Sequence, residues 1–210
     1  MVRDCFIRAF DDGICIKGKP GYDTVNTENI LIENCVVWND WGHSLEFGVN
    51  TVAPEICYIT YKDCDIIHHA NAILDLGNED RADIHDVLFE DIRVEYSVHD
   101  LESQLQNTDE VVFVPRRGIN SLVRAIVDCG LWSCDNIPGK NHHIVFRNIQ
   151  VFTEDEMQFP PIEISGKNAE HTSSEFLFEN IQLNGKRLTD KKELNLQLGK
   201  FVSEADIVLR

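Results

Sequence analysis

Short runs of alternating apolar and polar residues recur along this chain. Six segments carry one pattern: VRDCFI (2–7), ILIENCVV (30–37), ITYKDCDI (59–66), VLFEDIRV (87–94), IVFRNIQV (144–151) and FLFENIQL (176–183). In ILIENCVV, Ile30 and Ile32 face one way and Leu31 and Glu33 the other, which predicts a strand. Asn34 then breaks the register, and Cys35 and Val37 face inward again. The residues at this break are Asp4, Asn34, Asp63, Asp91, Asn148 and Asn180. Asn and Asp tolerate the left-handed backbone, so the pattern predicts a bend of fixed geometry in every repeat.

A second, shorter strand follows each bend in five repeats: GICIKG (13–18), SLEFG (44–48), ILDLG (73–77), AIVDCG (125–130) and IEISG (162–166). One unit is therefore strand, bend, strand, turn, strand, about 28 to 30 residues long. Such units bury their apolar face only by stacking. The predicted fold is all-β: a right-handed parallel β-helix of about six coils, forming one domain over 1–210. A leucine-rich-repeat solenoid is the competitor, and its leucine and asparagine spacing is missing. The coils run to about residue 185, with an insertion near 97–122 in which DLESQLQNTDE reads as a short helix. The less regular 186–210 segment is expected to cap the C-terminal end. The first unit opens in mid-pattern, so the chain is expected to be the C-terminal part of a longer protein with further coils upstream.

Composition narrows the partners. The formal net charge is −17, from 19 Lys+Arg against 36 Asp+Glu. A phosphate backbone needs a basic footprint, so neither a nucleic acid nor an anionic membrane is expected as partner. No stretch approaches the roughly 18 apolar residues of a membrane span. Of the seven cysteines, Cys5, Cys35 and Cys64 occupy the slot held elsewhere by Ile92, Ile149 and Ile181, and read as core packing. Cys129 and Cys134 could pair or lie in a loop. No Cys/His spacing of the zinc type is present, and no metal or cofactor is expected.

Coil register brings chemistry together. Aligning the second strands puts Cys15, Glu46 and Asp75 in one outward line, with Ile14, Ile16, Leu45, Phe47, Leu74 and Leu76 inward. Just upstream on that face come Asp11-Asp12, Gly42-His43 and the His68-His69 turn. Asp-Asp-Gly alone is a common turn. Like charges on adjacent coils repel, however, so a row of outward carboxylates is more than decoration. Trp38 and Trp41 read equally as core or as platforms for sugar rings.

The stretch CFIRAFDDGICIKG…ILIENCVVWNDWGHSLEFG resembles the active-site region of the β-helical inverting glycoside hydrolases, the polygalacturonase family (family 28) and the family 49 dextranases. The resemblance implies a pectin-lyase-like solenoid and an inverting acid/base mechanism without cofactor. Asp11 would be the general acid, Asp12 would help activate water, and His43 would hold the network. Glu46, Asp75, Lys17, Trp41 and His69 would bind substrate. It also implies a secreted or periplasmic enzyme acting on cell-wall or other polysaccharide.

Two departures from the family pattern matter. The family's third aspartate lies one coil upstream of the pair, before Met1, so the site is expected to be complete only with that coil. The family's Arg-Ile-Lys strand is replaced by Ile73-Leu74-Asp75, so the groove is acidic where a uronate would need cations. A neutral or mixed oligosaccharide or polysaccharide is therefore expected as substrate. A noncatalytic carbohydrate-binding or structural β-helix stays open as an alternative. A polysaccharide lyase fits less well, because Lys17 is the one cation expected on the groove strands.

Overall fold

The computed structural model describes residues 1–21, 23–97, 120–154 and 158–210. The chain winds as a right-handed parallel β-solenoid of about six turns, as the repeat predicts. One sheet runs through Val2–Arg3, Thr27–Glu33, Glu55–His68, Asp83–Glu95, Lys140–Arg147, Phe176–Glu179 and Ile207–Leu209. The other runs through Ile14–Gly18, Leu45–Thr51, Leu74–Asn78, Val123–Val127, Ile162–Ser165 and Leu196–Leu198.

The bends follow the marker residues. Asp4, Asn34, Asp63, Asp91, Asn148 and Asn180 all have φ between 50° and 57°. Their side chains bond from coil to coil: Asn34 donates to Asp4, Asn148 to Asp91 and Asn180 to Asn148, at 2.7–2.9 Å. A second left-handed bend lies five residues earlier, at Asn29, Tyr58, Asp86, His143 and Glu175. These five share no residue type, so the sequence pattern does not betray them.

Between the bends, inward side chains stack in rungs. Tyr61, Phe89, Phe146 and Phe178 form one aromatic column with centroids 4.9–5.1 Å apart, matching the spacing of the strands that carry them. Cys35 and Cys64 are buried in the slot shared with Ile92, Ile149 and Ile181. Cys5 is only partly covered, and all seven cysteines are free thiols, including Cys129 and Cys134.

Three sequence boundaries move. The fourth groove strand begins at Val123 rather than Ala125, because Val123 pairs with Leu74 and Arg124 with Asp75. The 186–210 segment does not simply cap the end. Its strands Leu196–Leu198 and Ile207–Leu209 pair in parallel with Ile162–Ser165 and Phe176–Glu179, continuing the stack. Of the 97–122 insertion, Asn120, Ser121 and Leu122 are buried at the entry to the next strand. The helix expected at 100–110 lies outside the described residues.

Candidate active site

Stacking fixes two turns one above the other. The Asp11-Asp12 turn leads into Ile14–Gly18, and the Gly42-His43 turn leads into Leu45–Thr51. The backbone N–H of Gly13 donates to the His43 carbonyl at 2.8 Å, and that of His43 donates to Asp12 Oδ1 at 3.2 Å. Buried Asn39 clamps both turns, its amide donating to the carbonyls of Asp11 (2.9 Å) and His43 (2.8 Å). The approach is too close for side chains. A Cβ on Gly13 would sit 2.5 Å from the Ser44 carbonyl oxygen, and one on Gly42 (φ 78°) 2.7 Å from the Asp12 backbone nitrogen.

The turns open on a cavity of about 620 Å³, lined by Asp11, Asp12, Lys17, Trp41, His43 and Glu46, with Leu131 and Trp132 contributing a further wall. Their loop is anchored by buried Asp80, whose Oδ1 accepts from Ser133 Oγ and from the backbone N–H groups of Cys134 and Asp135 at 2.6–3.0 Å. Glu79 accepts from the Trp132 N–H at 3.3 Å.

The predicted outward line exists and extends further: Cys15, Glu46, Asp75 and Arg124 stand in register on successive coils. It is not a solvated groove lining, because Glu46 is 1% exposed and Asp75 0%. Arg124 meets both Asp75 oxygens, at 2.9 and 3.1 Å. Arg124 itself lines the cavity, and the Asp75 charge raises its pKa further.

The carboxyls of this cluster are driven apart. Burial, the hydrogen bond to Asp12 and the charges of Asp75 and Asp12 push Glu46 far above the ordinary glutamate range. Burial alone would raise Asp12 too. The hydrogen bonds from Glu46 and from the His43 N–H outweigh it, and Asp12 stays below the usual range. Near neutral pH the pair therefore holds one proton, carried by Glu46. The Cys15 thiol donates to Glu46 Oε2 at 3.0 Å, and burial keeps it protonated. Burial also lowers the His43 pKa against the pull of Asp75, 4.0 Å away, so its imidazole is neutral. Lys17 Nζ lies 3.4 Å from Asp12 Oδ2.

Two donor triads meet here, Asp12–Cys15–Glu46 and His43–Glu46–Asp75. Both require Glu46 to give up its proton, and the second requires Asp75 to leave Arg124. A metal at either triad would therefore release a proton on binding.

Six of the eight expected site residues line the cavity: Asp11, Asp12, His43, Glu46, Lys17 and Trp41. Asp75 does not, because Arg124 holds it under the floor. His69 does not either. It turns inward, 1% exposed, against the Tyr96 ring (4.4 Å) and Asn120 (3.2 Å), while its neighbour His68 turns out to stack on Trp38 (4.7 Å). Trp38 also carries Arg8 over its ring and donates to Asp40, away from the cavity.

Sequence reading missed Arg124, Trp132, Asp80 and Asn39. Extending the fourth strand by two residues would have put Arg124 on the Asp75 line. The other three act through turn geometry, which leaves no periodic signal. The chain matches no protein-family model, no curated protein and no solved structure.

Proposed function

We propose that this cavity hydrolyses a glycosidic bond by acid/base catalysis with inversion. The observation that carries the reading is the close Asp12–Glu46 pair beside an open cleft, with burial raising Glu46 and hydrogen bonds lowering Asp12 so that their proton affinities are driven apart. Inverting hydrolases place acid and base roughly 6.5–9.5 Å apart, with water between. Asp12 and Glu46, with ligand atoms within 4.8 Å, are too close for that division and act together as the acid. The single proton passes from Glu46 to Asp12, the more exposed of the two, and from Asp12 to the glycosidic oxygen, leaving both carboxyls ionised until a proton returns from solvent. Asp11, exposed at the rim, takes a proton from the attacking water. This exchanges the roles that the family resemblance assigns to Asp11 and Asp12. Neutral His43 fixes the Asp12 turn through its backbone N–H.

Trp41 and Trp132 both line the cavity and offer apolar faces suited to the C–H faces of sugar rings. The polar lining carries Asp11, Asp12, Glu46 and Glu79 against Lys17 and an Arg124 already bound to Asp75. A neutral or mixed glycan fits this lining better than a polyuronate.

The test is release of new reducing ends from a panel of neutral and uronic oligosaccharides, followed by NMR of the first-formed anomer. Wild type is expected to cleave a neutral member with inversion. Asp12→Asn is expected to lose at least a hundredfold in rate with unchanged circular dichroism. Glycan binding without cleavage would replace this reading with the noncatalytic one.

A further inference from the structure

Outside the cavity, the ladder of second bends gathers imidazoles and carboxylates on the other sheet. Sequence neighbours on a regular strand point to opposite faces. His143 is left-handed (φ 53°), and this brings its Nδ1 to 3.0 Å from His142 Nδ1. Ile144 pairs with Phe176, so left-handed Glu175 (φ 57°) stands beside His143 on the next coil. Glu175 Oε2 lies 3.0 Å from His143 Nε2 and 3.6 Å from His142 Nδ1.

We propose that His142, His143 and Glu175 form a surface site for one zinc-class divalent cation, with Asp83 as the orienting residue. Bonds of about 2.0–2.1 Å in a tetrahedron separate neighbouring donor atoms by about 3.3 Å. His142 Nδ1 lies 3.0 Å from His143 Nδ1 and 3.6 Å from Glu175 Oε2, on either side of that value, and one donor atom from each of the three residues lies within 4.8 Å of the others. His142 Nε2 meets Asp83 Oδ1 at 2.8 Å. Donation there leaves the Nδ1 lone pair turned toward His143 and Glu175, as metal-bound histidines are commonly held. Lys140 holds the other Asp83 oxygen at 2.8 Å.

His85, one coil back, groups with Glu55 and Cys57 on the coil before it, and its ring is stacked 5.2 Å from that of His142. Burial raises the Cys57 thiol, disfavouring the thiolate that a metal needs, and His85 Nδ1 is engaged by Asp86 at 2.8 Å. His142, His143 and Glu175 are thus the better-prepared set, and none of them lines the cavity.

The experiment is calorimetric titration of zinc chloride into chelator-stripped protein at neutral pH, with X-ray absorption on the loaded sample. The expected result is one ion per chain at micromolar Kd or tighter, bound by two imidazoles and oxygen. His142→Ala and His143→Asn (Asn tolerates the left-handed bend) are expected to weaken binding at least a hundredfold. Asp83→Asn is expected to weaken it about 10- to 100-fold, and Cys57→Ala to leave it unchanged. Circular dichroism checks the fold of each variant. No zinc binding by the wild type, binding that survives both histidine substitutions, or loss in Cys57→Ala would overturn the proposal.

Discussion

The Glu46 carboxyl, 1% exposed, lies within 4.8 Å of the carboxylate of Asp12 one coil away, and both line the cavity, Asp12 with the more accessible side chain. Burial gives Glu46 the proton, and hydrogen bonds give Asp12 the charge. Both effects depend on the coil stacking, which sets the strand of one over the turn of the other.

The pair makes stability depend on pH in a defined direction. Glu46 is raised above its unfolded value of about 4.3, so the folded state holds its proton more tightly. Its contribution is complete below that value and is lost as pH climbs toward the folded pKa. Gln at this position donates a similar hydrogen bond and does not titrate. Glu46→Gln is therefore expected to gain in Tm relative to wild type between pH 5 and pH 9, by about 5 °C or more. Thermal melts across that range check it; a difference independent of pH would contradict it.

Asp75 and Arg124 form a pair whose carboxylate has no access to water. Removing one partner strands the other, at a cost of about 3–5 kcal/mol. Arg124→Ala is expected to show that loss in urea unfolding. Asp75→Leu combined with Arg124→Leu is expected to recover most of it. Equal losses in the single and double variants would show that packing, not the buried charge, sets the cost.

Asp80 fastens the loop that carries Trp132. Asp80→Ala is expected to release this wall of the cavity. Tryptophan emission should shift to the red, and the shift should vanish in a Trp132→Phe background. Glycan affinity should fall by about tenfold or more, since the variant loses a stacking platform. An unchanged spectrum would mean that the loop is held by other contacts.

The aromatic column spans four coils, so its middle rungs bear most of the packing. Phe89 stacks on Tyr61 and Phe146 and is fully buried. Phe89→Ala is expected to cost about 3–5 kcal/mol, a fall of roughly 6–20 °C in Tm. Leu at the same position, which refills much of the cavity, should lose about half as much.

The fold was legible because a solenoid writes its geometry into the sequence once per coil. Asp4, Asn34 and their equivalents repeat a residue type that the left-handed bend favours, and the aliphatic positions around them repeat with it. The second bend was not legible, because Tyr58, His143 and Glu175 adopt the same conformation under the constraint of neighbouring coils. Register placed Cys15, Glu46 and Asp75 correctly in one line but not in one environment. Whether an outward residue meets solvent depends on what lies against it, and Arg124 from the next coil lies against Asp75. His69 shows the same limit: in a turn, adjacent His68 and His69 part to opposite sides, and alternation cannot say which goes inward. Arg124 was hidden by the insertion before it, which obscured where the next strand begins.

The proton between Asp12 and Glu46 can be observed directly. In protein labelled with ¹³C at the glutamate side-chain carboxyls, the Glu46 carbon, assigned by its loss in Glu46→Gln, reports its own protonation. The expected result is a carboxylic-acid shift that persists at pH 7 and moves only well above it, while Asp12, labelled likewise, stays in the carboxylate range. A Glu46 carbon already at the carboxylate shift at pH 7 would contradict the shared proton and remove the acid from the proposed site.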